Sequence, residues 1–268
     1  MSVVKVKELE GRLFEMFPRD AAEDWDHVGL SVGDPEAEVE RVFVTLDATV
    51  EDVRAAHDAG ANVLLTHHPV YIEAPGAFVP KAGAYPQASA AVFAAARFGV
   101  SVLSFHTNLD RSHEARSVIA RRWGLNALSS LEHVDDSGAT GYGVLMDVER
   151  LTLRDLVERA AAEFSVEPRV WGDPGHVVSR AAYMGGSLGH FGELALAAHA
   201  DAIICGEAGY HVCQDLALRG VDVILLGHDV SEYPFCAVLA NACAEAGVST
   251  DEIVVSRFRR PWWTYMKG

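Results

Sequence analysis

Two adjacent histidines, His67 and His68, end the apolar stretch NVLLT. Imidazole nitrogens bind ions such as Zn, Fe, Mn and Ni, and they also transfer protons near neutral pH. The pair therefore either marks the point where a buried strand reaches solvent or holds something. Taken alone, a histidine pair at a strand end is compatible with both interpretations.

Three further strand-like stretches also end in residues that bind metals well. They supply, in chain order, His106 and Asp110, Glu207 and His211, and His228 and Glu232. In open α/β sheets, ligands bind outside the carboxyl ends of the strands, where loops from several elements converge. Single motifs such as HTNLD also have the composition of an ordinary turn. The combination at several strand ends instead predicts a metal site.

The number of candidate ligands indicates two ions rather than one. Neighbouring residues of an extended chain point to opposite sides, so His67 and His68 cannot easily reach the same ion. Two ions, with one of these histidines each, remove that difficulty, and Glu232 is well placed to bridge them. The ligand set suits Zn, Fe, Mn or Ni without distinguishing among them. His106 or His211 is then the candidate for proton transfer.

A glycine-rich segment, GGSLGHFGE, begins with Gly185, Gly186 and Ser187. We interpret it as a turn that enters a helix, which either binds a substrate anion through free N–H groups or is a plain tight turn. The other histidines have no comparable setting, and we predict that they are surface or capping residues. They are His27, His57, His113, His133, His176, His190 and His199.

Alternating strand-like and helix-like segments position these residues. Strands are predicted at 42–48, 62–67, 100–106, 201–207, 221–228 and 252–258, and helices at 50–60, 86–99, 112–124, 192–200, 210–220 and 234–247. Such alternation predicts an α/β fold with a mostly parallel sheet covered by helices on both faces. We assign 1–126 and 191–268 to this larger, metal-binding domain. Residues 127–190 are predicted to form a smaller inserted α+β domain.

Composition excludes several classes of protein. The formal net charge of −16 argues against DNA or RNA binding, although basic residues cluster at ARRW (120–123) and RFRR (257–260). We interpret the first cluster as the solvated surface of a helix and the second as packing of the chain end. No apolar run approaches the ~20 residues that span a bilayer, and the N-terminus reads as an amphipathic helix, so we expect a cytoplasmic protein. The four cysteines contain no CxxC pair and are expected to be buried apolar residues.

Seven segments together resemble, in order, the motifs of the Nif-three-like dinuclear-metal family, whose members are often called type 2 GTP cyclohydrolase I. The segments are DHVGLSVGD (26–34), VTLDAT (44–49), LLTHHPV, HTNLD, MGGSLG, GEAGYH and GHDVSE. The resemblance covers nearly the whole chain and is to the short form without a central insertion. It implies two interlinked α/β domains and a toroidal homohexamer with metal pairs facing an inner cavity.

The resemblance also implies roles for particular residues. The two divalent ions of each subunit would be bound by His67, His68, Asp110, His228 and Glu232, with Glu232 bridging. His106 would be a further ligand or would support one, and His27 replaces the asparagine usual in the first motif. The implied activity is hydrolysis of a nucleotide-like substrate, either by C–N ring opening or at a phosphoester. The alternative is a non-catalytic metal-binding, metal-carrier or regulatory assembly protein.

Overall fold

The computed structural model describes residues 4–81, 83 and 86–265, so the first three residues of the predicted amphipathic helix lie outside the described part. The first half of the chain contains α1 (Val6–Met16), β1 (Gly29–Val32), β2 (Val42–Thr45), α2 (Val50–Asp58), β3 (Val63–Thr66), α3 (Gln87–Phe98), β4 (Ser101–Ser104), α4 (Thr107–Asp110) and α5 (His113–Arg122). The second half contains β5 (Val144–Thr152), α6 (Leu153–Phe164), β6 (Arg169–Trp171), β7 (Val177–Ser187), α7 (Phe191–Ala197), β8 (Ala202–Glu207), α8 (Tyr210–Leu218), β9 (Asp222–Leu225), α9 (His228–Glu232), α10 (Phe235–Glu245) and β10 (Ile253–Val255).

Local signals explain where several helices begin and end. Thr49 caps α2 by accepting a hydrogen bond from the Asp52 N–H, and Asp52 in turn accepts one from the Thr49 N–H. Ser112 caps α5 by accepting a hydrogen bond from the Ala115 N–H. Gly99 ends α3 in the left-handed conformation, which a residue without Cβ adopts at little cost.

The first sheet has the strand order β1-β4-β3-β2-β10 and is mostly parallel, as predicted. Strands β10, β2, β3 and β4 run parallel to one another, whereas β1 pairs with β4 in the antiparallel sense. Every residue of β2, β3 and β4 is buried. These strands can therefore be apolar on both faces, which explains their continuous apolar runs.

The second sheet has the order β5-β7-β8-β9-β6. Its central strands β7, β8 and β9 are parallel, and its edge strands β5 and β6 are antiparallel to their neighbours. Strands β8 and β9 therefore pair with strands of the middle segment, although their sequences were assigned with the larger domain. The proposed boundary at residue 190 falls inside this sheet, because β7 and β8 are joined in register from Ala181 and Ala202 onwards.

The two sheets share one hydrophobic core, which brings their carboxyl ends together. A single cluster of buried residues includes Val44 and Leu65 of the first sheet, Ile204 and Ile224 of the second, and Leu239 of α10. Helix α9 follows β9 and packs against β7 and β8. All four cysteines are buried and free, as expected. Among the residues described, no helix is both long and apolar enough to cross a bilayer.

Candidate metal centre

Three chain segments bring their histidines to one place. His67 and His68 follow β3, and His106 follows β4. Because β3 and β4 are parallel and pair Thr66 with Ser104, their ends lie side by side, and the rings of His67 and His106 are 5.2 Å apart. Helix α9 contributes the third segment, and the His228 ring lies 5.4 Å from that of His68. The predicted convergence at strand ends is therefore present in the structure.

Glu232 lies at the centre of the cluster. Its Oε2 is 2.8 Å from His68 Nε2 and 3.1 Å from His228 Nε2, while its Oε1 is 3.8 Å from His67 Nε2. The two carboxylate oxygens thus face different histidines. The side chain is 6% exposed, so water contributes little to stabilising its charge.

His67 carries the clearest evidence that the cluster is built for an ion. Its side chain is fully buried, and its Nδ1 donates a hydrogen bond to the Phe105 carbonyl at 3.1 Å. Its Nε2 is buried without a hydrogen-bond partner among the described residues, although Asp110 Oδ1 lies 3.4 Å away. Buried polar atoms are seldom left unpaired, and a bare Nε2 lone pair beside two carboxylates suits a metal ion. The donor set therefore fits the implied metals.

Two groups of ligand atoms satisfy the spacing of a metal site. His67, His68 and His106 offer atoms that all lie within 4.8 Å of one another, and so do His68, His228 and Glu232. The groups share His68, which places two candidate positions next to each other. Among the described residues, these are the groups of three or more ligands with this spacing.

Each of three histidines is oriented by a carboxylate on its other ring nitrogen. His68 Nδ1 donates to Asp47 at 2.8 Å, and His228 Nδ1 donates to Glu207 at 3.0 Å. His106 Nδ1 donates to Asp26 at 2.9 Å. These bonds fix the ring tautomer, so that Nε2 is the free ligating atom.

Two further site residues, Asp26 and Asp47, are not among those predicted from the sequence. Asp47 had a detectable signal, because it follows the end of β2 in the same way that the histidines follow β3 and β4. Asp26 opens the DHVGLSVGD motif, but no local pattern marked its role, since it lies in a loop before β1 and reaches the site only through tertiary folding. It also accepts a hydrogen bond from the Thr107 N–H at 3.0 Å, which joins the loop to α4.

Burial and neighbouring carboxylates give the histidines of the cluster different pKa values, and hence different protonation states. Burial lowers the pKa of His67 to about 4, so this ring is neutral. Burial also opposes the charge on His68, but hydrogen bonds to Asp47 and Glu232 prevail and raise its pKa to about 10. The hydrogen bond to Glu232 raises the pKa of His228 to about 9. Without ions, two protonated imidazoles thus balance the carboxylates.

The two carboxyls of the cluster shift in opposite directions. Burial and the neighbouring Glu232 charge raise the pKa of Asp110. Burial also disfavours the ionised form of Glu232, but hydrogen bonds from His228 and His68 and the charge on His68 hold its pKa well below the usual range. Glu232 is therefore the ionised carboxylate around which the cluster is organised.

Gly185, Gly186 and Ser187 form the end of β7 rather than the turn that was predicted. Gly186 has φ +64°, and a Cβ there would overlap Glu232 Oε1 and lie 3.2 Å from His228 Nε2. Its N–H donates to Ser231 Oγ at 2.9 Å and so is not free for an anion. The glycine pair lets the strand approach the cluster closely, and a role in substrate binding stays a prediction.

Two other predictions differ from the structure. His211 is exposed on α8, its ring contacts Tyr210, and it belongs to neither ligand group. Helix α8 starts with Tyr210 and carries His211 into solvent, so the identity of the proton-transfer residue stays a prediction. His27 is half-buried against Tyr71 rather than at the surface, and its Nε2 has no partner among the described residues. The other histidines outside the cluster are exposed, as predicted.

The chain is similar to known bacterial proteins over most of its length. It is 28% identical over 259 residues to a Clostridium acetobutylicum protein named GTP cyclohydrolase 1 type 2 homolog, covering 94% of this chain and 95% of that protein. A Streptomyces coelicolor protein with the same name is 30% identical over 240 residues, covering 87% of this chain and 83% of that protein.

Solved structures share the fold. A Staphylococcus aureus hypothetical protein has a TM-score of 0.86 at 20% identity, covering 99% of this chain and 100% of the other. A Bacillus cereus protein related to NIF3 has a TM-score of 0.87 at 18% identity, with the same coverage. The model of the family Duf34/NIF3 (NGG1p interacting factor 3) matches residues 4–261. These matches confirm the resemblance drawn from the seven motifs: the chain belongs to the Duf34/NIF3 family.

Proposed function

We propose that this protein is a hydrolase that uses two divalent ions and acts on a nucleotide-like substrate. The observation that carries the proposal is the position of Glu232 among three imidazole Nε2 atoms, with one oxygen facing His67 and the other facing His68 and His228. A carboxylate in this position is suited to bridge two ions. Paired divalent ions of this kind lower the pKa of bound water and polarise the bond under attack.

The side chains divide into two ligand sets around Glu232. His67 and Asp110 would serve one ion, because their ligand atoms are 3.4 Å apart. His68 and His228 would serve the other, since both Nε2 atoms face the same Glu232 oxygen. Zn, Fe, Mn and Ni all accept imidazole and carboxylate ligands, so the set does not select one metal.

His106 is the side chain we assign to proton transfer. Its Nδ1 is held by Asp26, whose carboxylate is fully buried. Burial raises the pKa of Asp26, but the hydrogen bond with His106 lowers it by more, to about 2. Asp26 therefore stays ionised. The imidazole is therefore fixed, with Nε2 directed towards His67 and His68 and free to exchange a proton with the substrate.

The choice of substrate rests on the relatives. Proteins that align with nearly the whole chain are named GTP cyclohydrolase 1 type 2 homolog, so a purine nucleotide is the first substrate to test. Opening a C–N ring bond and cleaving a phosphoester both require an activated water and a polarised centre. The ligand geometry is compatible with both reactions, which makes the assay the deciding step.

The test is turnover of GTP and of a generic phosphoester by protein loaded with Mn, Fe or Zn. Asp110→Ala and Glu232→Gln are expected to abolish turnover and to lower the metal content. Asp135→Ala and Glu167→Gln, at exposed positions, are matched controls that should leave both unchanged. Activity that survives in the two site variants would refute the hydrolase. Stoichiometric, exchangeable metal without turnover would favour the metal-carrier or regulatory alternative.

We also propose a toroidal homohexamer in the cytoplasm. The support for the assembly is the family resemblance drawn from the seven motifs. Light scattering coupled to size-exclusion chromatography tests the assembly directly. A mass close to six times 28.9 kDa is expected, and a monomer mass would contradict the proposal.

A further inference from the structure

A cavity of about 330 Å³ lies beside the metal centre. Its walls come from the end of β2, the start of α2, the α9 region and the segment that follows β10. Asp47 lines the cavity and also accepts the hydrogen bond from His68 Nδ1, so one carboxylate belongs to both places. The volume lies in the range of ~300–1,000 Å³ that is usual for small-molecule sites.

Three arginines in the segment 257–260 line this cavity. Arg260 donates to the Ser165 carbonyl at 3.2 Å, whereas the guanidinium groups of Arg257 and Arg259 form no hydrogen bond or ion pair with the described residues. Phe258 between them packs on Tyr233, with ring centroids 4.9 Å apart. Phe258 therefore packs as the sequence predicted for this chain end, whereas Arg257 and Arg259 do not.

The segment that carries the arginines is anchored. The Ser256 N–H donates to the Val44 carbonyl at 2.8 Å, and the Tyr233 hydroxyl donates to the Ser256 carbonyl at 2.5 Å. The arginines therefore start from a fixed position at the cavity wall. In a chain of net charge −16, three arginines within four residues are a local exception.

Four acidic residues line the cavity, and among the described residues none of them forms an ion pair with these arginines, although the charge of Arg259 acts on Asp52; they are Asp47, Glu51, Asp52 and Asp229. Asp47 is engaged by His68, and Asp52 accepts hydrogen bonds from Thr49 as part of the α2 cap. Asp229 also lines the cavity, and its Oδ2 is buried without a hydrogen-bond partner among the described residues. The cavity thus offers unpaired guanidinium donors together with an unpaired carboxylate acceptor, which is a combination that a ligand satisfies.

We propose that Arg257 and Arg259 bind the phosphate group of the substrate, while Asp229 accepts a hydrogen bond from an N–H of the same molecule. Guanidinium groups bind phosphate oxygens through paired, charge-assisted hydrogen bonds. The inference rests on the proposed function, because it treats the occupant of the cavity as the substrate of the metal centre. It assigns the phosphate to the cavity instead of to the Gly186 backbone, whose N–H is already used.

The experiment measures binding to the metal-free full-length protein by titration calorimetry. The ligands are GTP, guanosine and glucose 6-phosphate, so that phosphate on a nucleotide, a nucleoside without phosphate and phosphate on another carrier are compared. The variant is Arg257→Gln with Arg259→Gln. Its control is Arg97→Gln with Arg150→Gln, which removes the same charge at exposed positions without hydrogen bonds to the described residues.

We expect the cavity variant to bind GTP and glucose 6-phosphate at least about tenfold more weakly than the unchanged protein. Guanosine affinity should stay within about twofold, and the control should match the unchanged protein for all ligands. Equal GTP affinity in the cavity variant would overturn the inference. An equal loss of affinity for guanosine, which has no phosphate, would also overturn the inference. The arginines would then maintain the shape of the cavity rather than bind phosphate.

The result is independent of catalysis. Arginine-dependent binding without turnover by the metal-loaded protein would support the phosphate site and refute the hydrolase. Turnover of GTP with an unchanged KM in the cavity variant would support the hydrolase and refute the phosphate site. Circular dichroism and thermal unfolding of each variant confirm that a loss of binding does not come from a loss of folding.

Discussion

Metal binding should release protons, and the structure sets their number. At pH 7, His68 and His228 are protonated in the metal-free protein, because their pKa values are raised to about 10 and about 9. A histidine must be neutral to bind a metal, so each of the two gives up its proton when the ions bind. His67, with its pKa lowered to about 4, has no proton to release at this pH.

The expected release at pH 7 is therefore about two protons per subunit from the histidines. Asp110, whose pKa is raised by burial, adds to this number in proportion to the fraction of it that is protonated. The sign of the pH dependence follows. Protons compete with metal below the raised pKa values, so metal affinity should increase from pH 7 to pH 10 while the number of protons released falls.

Titration calorimetry in buffers of different ionisation enthalpy measures this number. His228→Gln removes one titrating group, so its release at pH 7 should be about one proton lower than that of the unchanged protein. His199→Gln, at an exposed position, is the control and should leave the number unchanged. Metal binding at pH 7 that releases no protons would refute the protonation states derived from the cluster geometry.

Three further predictions concern single residues. Gly186 has φ +64°, and Gly186→Ala places a Cβ against Glu232, so this variant should lower the free energy of unfolding by about 1–3 kcal/mol and reduce the metal content. Gly189→Ala is its control: Gly189 has φ +50° but open space around it, so this variant should retain full metal content. Asp47→Asn keeps an acceptor for His68 but loses the charge, so equilibrium dialysis should show metal affinity ~10–100-fold lower. His211→Gln should leave turnover and metal content unchanged, and a large loss of turnover would contradict our choice of His106.

The convergence of the candidate metal ligands could be predicted from the sequence because the fold class determines where strand ends meet. The apolar runs of β3 and β4 indicate buried parallel strands, and parallel neighbours place the residues that follow them side by side. His67 and His106 therefore had to be close once both strands were recognised. Asp47, which follows the parallel neighbour β2, reaches the same edge of the sheet for the same reason.

Other features depend on long-range packing that no local pattern specifies. The pairing of β8 with β7 is a long-range contact, and the continuous apolar sequence of β8 would also suit a buried strand of the first sheet. Gly185 and Gly186 have the composition of a turn, but the approach of α9 places them in a strand against Glu232. Asp26 reaches His106 from a distant loop, across 80 positions of the chain.

Anomalous diffraction from crystals of protein purified without added metal tests the central claim most directly. We expect two anomalous peaks per subunit, ~3.5–4 Å apart, with Glu232 between them, His67 beside one peak and His68 and His228 beside the other. A single peak, or peaks that lie away from these side chains, would contradict it.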